Sequence, residues 1–413
     1  MSFSQGLSGL NAASKALDVV GNNIANSQTS GFKAGSIAFA DVFAGTTGLG
    51  VQVAGINQNF NDGGLATTGR NLDIGISGKG FFRMVNEGGN VFYGRNGQFN
   101  LDENGSIYNG TNGLFLSGYQ ATGNPPKIEP GAPIGPIRIP TGDMQPAAST
   151  AGSLAGNLKA DESKVISPTV PFNPSDPNSY NFPSQIEATD SLGSKHSIKI
   201  YFVQTAPGDW KAYARDETAP DMSGAGGTEK YAELDLKFDA SGNIDLAAMG
   251  GNTKMNIVGD SLNGSTPLAL ALDLAELTKN ASDSQVKLGE IDGQAPGKYQ
   301  NFVIGDSGEV VATYSNGKRQ TVAQIVLADF PNTSGLTAEG NNVWSESPTS
   351  GQPFYGASGS GSFGSVNGGM LEQSNVDMGQ EMVNMIVYQR NYQSNSQTIK
   401  TQSELLQTLV NLR

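Results

Sequence analysis

Apolar positions fall into distinct textures along the chain, and one of them occupies both ends. In residues 3–24, Phe3, Leu7, Leu10, Ser14, Leu17, Gly21 and Ile24 recur at alternating steps of four and three, a heptad seam with small or polar breaks. Residues 378–410 repeat that spacing through Met378, Met382, Met385, Gln389, Tyr392, Ser396, Ile399, Ser403, Leu406 and Val410. Ser2 or Ser4 is placed to cap the first helix, and Asn22, Asn23, Asn26, Ser27 and Thr29, followed by Gly31, stop it. A seam needs a second helix, so the two ends are expected to form one coiled-coil-like axial core. The competing expectation, that each helix covers a private domain core, fits poorly with the breaks at Ser14, Gly21, Gln389, Ser396 and Ser403.

Between the ends the period changes to two. An irregular arm through Phe32, Phe39, Val42 and Phe43 leads to a short strand or extended connector at residues 48–56. From about residue 71, Leu72, Ile74, Ile76, Phe81, Phe82, Met84, Val91, Phe92 and Tyr93 alternate with polar positions, and Asn96-Gly97, Asn104-Gly105, Asn109-Gly110 and Asn112-Gly113 punctuate the run. Asn-Gly between apolar runs predicts hairpins, because both residues tolerate φ > 0. Residues 124–148 carry seven prolines, which remove ladder donors, so this stretch is expected to cross in extended form into another module.

Strand candidates at 185–188, 197–205, 210–215 and 233–238 build that second module, with the proline-rich residues 167–183 on its surface. Residues 268–277 fit a strand followed by a short helix, and periodicity does not decide. After residue 289 the first module's texture returns at Phe302-Val303-Ile304, 310–314, Asn316-Gly317 and 322–327, and the Gly/Ser-rich residues 350–369 are expected to be a flexible hinge. The predicted class is therefore mainly β: nested β-rich domains carried between long N- and C-terminal α-helices that form an axial core. The expected divisions are 1–70 with 365–413 for the helical core and arm, 71–145 with 287–364 for an inner β domain, and 146–286 for an outer one.

Composition narrows the function. The chain has 413 residues, too many for one ordinary core, and 38 acidic against 25 basic residues give a net charge of −13. That balance argues against nucleic acid and anionic membranes as partners, since both require a basic surface. Cysteine is absent, so neither disulfides nor thiolate metal sites arise. No stretch reaches the roughly 18–20 apolar residues of a membrane span, so no membrane insertion is expected, and the first residues lack the basic and apolar regions of a Sec-type signal.

Candidate chemistry is sparse. His196 is the single histidine and is expected on a strand surface, without partners for a triad or a metal. Residues 102–105 and 239–245 have the acidic character of calcium loops but not the twelve-residue ligand spacing, and hairpin turns account for them better. Residues 224–227 and 356–361 are glycine-rich without the setting of a phosphate loop. Neither catalytic residues nor a cofactor are expected, and an enzyme reading finds no carboxylate pair to name.

Two terminal motifs carry a resemblance. Ser8-Gly9-Leu10-Asn11-Ala12-Ala13, Gly21-Asn22-Asn23-Ile24-Ala25-Asn26 and Ser30-Gly31-Phe32-Lys33 are matched at the other end by Ser374-Asn375-Val376-Asp377, Asn384-Met385-Ile386, Gln389-Arg390-Asn391-Tyr392 and Leu409-Val410-Asn411-Leu412-Arg413. The pair resembles the signatures of the bacterial flagellar axial family of rod, hook and hook-associated proteins. Its length, Phe39-Ala40-Asp41-Val42-Phe43 and the central insertion resemble the hook members more than the shorter rod members. The resemblance is strong over 1–140 and 296–413 and thin over 146–286.

The resemblance implies a structural subunit of a hollow, bendable helical homopolymer that acts as a universal joint between rod and filament. It implies an extracellular hook location reached through the flagellar type III export apparatus without a cleaved signal peptide. Its implied partners are further copies of itself, the distal rod protein, the hook cap protein and the hook–filament junction protein. On this reading Phe3, Leu7, Leu10, Leu17, Ile24, Met382, Met385, Tyr392, Ile399, Leu406 and Val410 make subunit contacts, and Gly31, Phe32 and Lys33 form a hinge in the arm. The alternatives are a distal-rod-type axial protein and, from another class, a secreted β-domain binding protein or adhesin.

Overall fold

The computed structural model describes residues 3–44, 47–123, 126–129, 131–160, 165–167, 171–218, 231–259 and 264–411. The Ser2 cap, the 224–227 loop, Leu412 and Arg413 lie outside them. The described chain is mostly β with one α-helix at each end, α1 (Phe3–Ala25) and α2 (Met378–Asn411). No helix among the described residues is long and apolar enough to cross a membrane.

The chain divides into two compact units, Met1–Thr141 with Asn301–Ala312 and Arg319–Arg413, and Gly142–Gln300 with Thr313–Lys318. The second unit thus begins before and ends after residues 146–286. The two crossing segments are joined by isolated antiparallel bridges, Met144 with Gly297 and Ala147 with Gln294, before the second unit's sheets begin.

In the first unit, the strands Phe81–Val85, Phe115–Gln120 and Arg319–Asp329 form the middle of a sheet. An aromatic core lies against it. Phe60 and Trp344 meet edge to face at 5.4 Å between centroids, Phe81 and Trp344 at 6.0 Å, and Tyr93 and Phe330 at 4.8 Å, arrangements that suit the ring quadrupoles.

Two expectations for this unit are corrected. The arm after Gly31 is not irregular: β1 (Gly35–Ala44) pairs antiparallel with β2 (Thr47–Gln58) in a long hairpin with two bulges. Its apolar residues Phe39, Phe43, Leu49 and Ile56 stay exposed, which disguises the strand period in the sequence. The glycine-rich 350–369 is likewise ordered, with Phe354–Ala357 paired to 326–329 and Ser365–Gly368 paired to Ile74–Ser77. Glycine serves close approach there: a β-carbon on Gly356 would stand 2.3 Å from the Phe363 ring, and Gly359 turns at φ +71°.

The second unit contains two four-stranded sheets. One runs in the order Lys254–Val258, Ala269–Asn280, Ala151–Lys159, Gln285–Ile291, and the other in the order Phe182–Thr189, Lys195–Ala206, Asp209–Asp216, Ala232–Lys237. Alternate residues of both fill one core: Leu154, Leu158, Leu270, Leu272 and Leu274 from the first sheet, Ile198, Ile200, Phe202, Trp210 and Leu236 from the second. Ala269–Asn280 is one strand throughout, which resolves the ambiguity at 268–277. A register shift opposite it, between Ser153 and Ala155, breaks the alternation that would have identified it.

Asp102, Asp190 and Asp239 close three hairpins in one way. Each side-chain Oδ1 accepts the N–H groups two and four residues on, at 2.6–2.9 Å, and each turn has glycine at the fourth position with φ between +78° and +91°. The acidic loops are therefore turn locks. Among the described residues, no group of three or more His, Asp or Glu is placed to hold a metal.

His196 is not a surface residue. It is 4% exposed, with Nδ1 at 2.5 Å from Asp216 Oδ2 and Nε2 at 3.6 Å from Asp190 Oδ2. The parity of its strand places it there, because His196, Ile198, Ile200 and Phe202 all point inward.

Asp292 stitches the edge of the same unit. It accepts the Thr150 and Ala151 N–H groups at 2.8 and 3.0 Å and the Thr150 hydroxyl. Burial pushes its pKa up, but these hydrogen bonds outweigh burial and hold it below the ordinary value. A depressed carboxylate contributes stability above its ordinary value and loses it as pH falls through its own lower value. Acid titration of stability below pH ~4 is therefore expected to be shallower in Asp292→Asn than in the parent, as read by Trp210 fluorescence in a Trp344→Phe background.

Candidate assembly interface

The ends of the chain meet in the first unit. Glycine and alanine govern how α1 lies against its neighbours, because helix separation is set by the side chains at the contact. The seam buried within the subunit is Gly6, Ala13, Ala16, Val20 and Asn23, joined by the partly buried Gly9. A β-carbon on Gly6 would lie 3.0 Å from Ile399 Cγ1, and one on Gly9 would lie 2.7 Å from Asn395 Oδ1, so α2 passes closely over both.

This seam is displaced by one residue from Leu7, Leu10, Ser14, Leu17, Gly21 and Ile24, a rotation of about 100° on a 3.6-residue helix. Of the expected contact residues on α1, Phe3 and Leu7 are exposed, Leu7 by 45%, and Leu10, Leu17 and Ile24 are half-buried. On α2, Met385 and Ile399 are half-buried, Met382, Tyr392 and Leu406 are exposed, and the side chain of Val410 lies outside the described residues. None of the described α2 side chains is buried. Met382, Val383, Ile386, Val387, Leu405 and Leu406 remain 48–61% exposed.

The roots of both helices are tied to the β body by polar groups. Asp377 caps α2, accepting the Gly379 and Gln380 N–H groups at 2.9 and 3.1 Å. Asn375 accepts the Ala34 N–H at 2.8 Å and donates to the Asn59 and Asn61 carbonyls at 2.7 and 2.9 Å. Asn23, in the last turns of α1, exchanges two hydrogen bonds with Gly35 and donates to Glu381 Oε1 at 3.2 Å.

Beneath them lies a buried ion cluster. Glu372 is 1% exposed; its Oε1 accepts Lys33 Nζ at 2.7 Å and the Gly63 N–H at 3.0 Å, and its Oε2 accepts Arg95 Nη1 at 3.1 Å. Lys33 Nζ also donates to the Asn61 carbonyl at 2.7 Å, and Arg95 Nη2 to the Gly78 carbonyl at 2.8 Å. Burial and then Arg95 pull Lys33 below its ordinary pKa, while Glu372 opposes both. Gly31 is fixed as tightly: its N–H donates to the Glu372 carbonyl at 2.8 Å, its φ is +68°, and a β-carbon would stand 2.5 Å from the Arg95 carbonyl. Phe32 is half-buried between these two. The residues expected as a hinge thus sit in a clamp.

Glu372 and Arg95 leave no direct sign in the sequence, because their buried charge pair forms across 277 residues of separation. The available signal was local: a lysine two residues after a stop glycine, closing the first terminal motif, and a glutamate three residues before Asn375, just ahead of the second.

Comparison with known proteins agrees with this geometry. Family models described as flagella basal body rod protein, flagellar hook protein FlgE/F/G D1 domain, flagellar basal body protein FlaE D2 domain and flagellar basal body rod FlgEFG protein C-terminal match residues 5–33, 75–160, 157–294 and 367–412. Curated flagellar hook proteins FlgE from Salmonella typhimurium and Escherichia coli are each 46% identical over the whole of both chains. That of Borreliella burgdorferi is 30% identical over all of this chain and 99% of its own. The crystal structure of the Helicobacter pylori flagellar hook protein FlgE2 superposes with a TM-score of 0.52 over 75% of this chain and all of its own, a likeness of fold at 15% identity. The first and last family models end on Lys33 and contain Glu372, so the clamp joins the two segments they describe. On identity over its full length, the chain belongs to the flagellar hook protein FlgE family.

Proposed function

We propose that this hook subunit polymerises through the outward faces of its terminal helices into a hollow, bendable tube that passes torque from rod to filament. The observation that carries this is the division of labour on the helices: small residues close the pair inward, while Leu7, Met382, Ile386 and Leu406 face out. Burying the exposed remainder of such side chains against neighbours contributes on the order of 1 kcal/mol each. A head-to-tail contact that does not close generates an open helical assembly.

The clamp at Lys33, Arg95 and Glu372 fixes the helix roots to the β body, so torque entering the axial layer reaches the outer layers without slip. Bending then falls to contacts between polar, hydrated surfaces, which exchange cheaply. Export through the flagellar type III apparatus, growth beneath a hook cap protein, and end contacts with the distal rod and hook–filament junction proteins complete the reading.

Leu406→Asp is expected to abolish sedimentable tubes, because a carboxylate placed in a desolvated contact is costly. Being exposed in the subunit, the same change should leave monomer stability within about 0.5 kcal/mol of the parent. Tubes of normal appearance and yield would show that this face is not an assembly contact.

A further inference from the structure

Asn-Gly is the dipeptide in which a backbone nitrogen attacks the preceding side chain with least hindrance, since glycine carries no β-carbon. Seven such pairs occur, at Asn96, Asn104, Asn109, Asn112, Asn263, Asn316 and Asn367, and all but Asn263 lie among the described residues.

Among the six described, the fold holds five. Asn96 and Asn109 are buried: Asn96 Nδ2 donates to Thr111 Oγ1 at 3.2 Å and its Oδ1 accepts the Gln98 N–H at 3.0 Å, while Asn109 Nδ2 donates to the Asn96 carbonyl at 2.8 Å. Asn112 Oδ1 accepts the Leu114 N–H at 3.0 Å. Asn316 Nδ2 donates to the Ala295 carbonyl at 2.6 Å and its Oδ1 accepts the Lys318 N–H at 3.0 Å. Asn367 is held in the ladder of Ser365–Gly368, opposite Gly75. Asn104 differs: it is exposed at a hairpin tip, and only its backbone N–H is engaged, by Asp102 Oδ1 at 2.9 Å.

We propose that Asn104 is a site of spontaneous backbone-assisted deamidation. The Gly105 nitrogen forms a bond to Asn104 Cγ, the Cγ–Nδ2 bond breaks, and ammonia leaves carrying the Gly105 proton. Water then opens the resulting five-membered imide at either carbonyl to give aspartate or isoaspartate; no electron transfer is involved. Attack requires opening one bond, Gly105 N–H to the Asp102 carbonyl at 3.1 Å. Asn112 and Asn316 need a comparable backbone opening, of Gly113 from Asn109 at 2.9 Å and of Gly317 from Tyr314 at 3.0 Å, and must break side-chain bonds as well.

The product matters to the turn. A new carboxylate stands beside Asp102 and Glu103, and isoaspartate lengthens the backbone where it has no room: a β-carbon on Gly105 would lie 2.3 Å from the Ile139 carbonyl, and the Gly105 carbonyl accepts the Ile139 N–H at 2.8 Å.

The test is incubation of the full-length protein at mildly alkaline pH, with fragmentation mass spectrometry localising each asparagine-to-aspartate conversion. In the folded protein Asn104 is expected to convert several-fold faster than Asn96, Asn109, Asn112, Asn316 and Asn367, and in urea the six should converge. Asn104→Gln should remove that leading conversion and leave tubes intact. Failure of Asn104 to lead in the folded state, or an equal lead in urea, would overturn the proposal.

Discussion

Glu372→Ala lowers the stability of the first compact unit by about 3–5 kcal/mol, the loss expected when one partner of a buried ion pair is removed and its charge is left uncompensated. Two cations depend on this one carboxylate: Lys33 at 2.7 Å and Arg95 at 3.1 Å, both almost fully buried. Among the described residues, half-exposed Asp62, 3.3 Å from Arg95, is the carboxylate left to face them. Denaturant unfolding followed through Trp344, in a Trp210→Phe background, reads this unit separately, because the chain has two tryptophans and the units need not unfold together. The triple variant Lys33→Met, Arg95→Met, Glu372→Leu is expected to recover most of the loss, since the cost lies in the orphaned charges of both cations rather than in the absent pairs. A loss below 1 kcal/mol in Glu372→Ala would show that the clamp is not the structural root of the helices.

His196→Ala produces the second large loss, also about 3–5 kcal/mol, but in the second unit. It removes the imidazole that separates Asp190 from Asp216, both 1% exposed on the side chain, and leaves two buried carboxylates facing a cavity. Each carboxylate also anchors backbone: Asp190 Oδ1 holds Leu192 and Ser194, and Asp216 Oδ1 holds Thr218. Unfolding followed through Trp210, in a Trp344→Phe background, should move to lower denaturant while the Trp344 transition of the intact protein stays in place. His196→Gln, which keeps a donor toward Asp216, should lose less than His196→Ala.

The terminal helices, the β character of the middle and the hook relationship were legible because each is local or repeated. Heptad spacing, Asn-Gly turns and two terminal motifs all lie within short windows of sequence. The face of α1 that closes onto α2 is one position away from the large residues, and small residues carry it. Gly6, Gly9, Ala13 and Ala16 have the same alternating spacing one position away, and small residues mark a close crossing that burial scales undervalue. His196 lies inside, against the expectation from its polar type, because its parity with Ile198 and Ile200 puts it there.

The clamp was illegible for a different reason: Lys33 and Glu372 are 339 residues apart, and a charge pair leaves no periodic trace. Composition misled at 350–369 and in the hairpin of β1 and β2. Glycine there permits tight turns and close packing instead of freedom, and exposed phenylalanines hide which face of a strand is covered.

The central claim is that α2 is completed by other subunits. Without a single buried side chain among those described, a 34-residue helix draws little packing energy from its own chain. Amide hydrogen exchange of residues 378–411, compared between soluble monomer and assembled tube, tests this most directly. The account predicts fast exchange in the monomer and strong protection in the tube, with the strands 319–329 protected in both. Equal protection of α2 in the two states would contradict it.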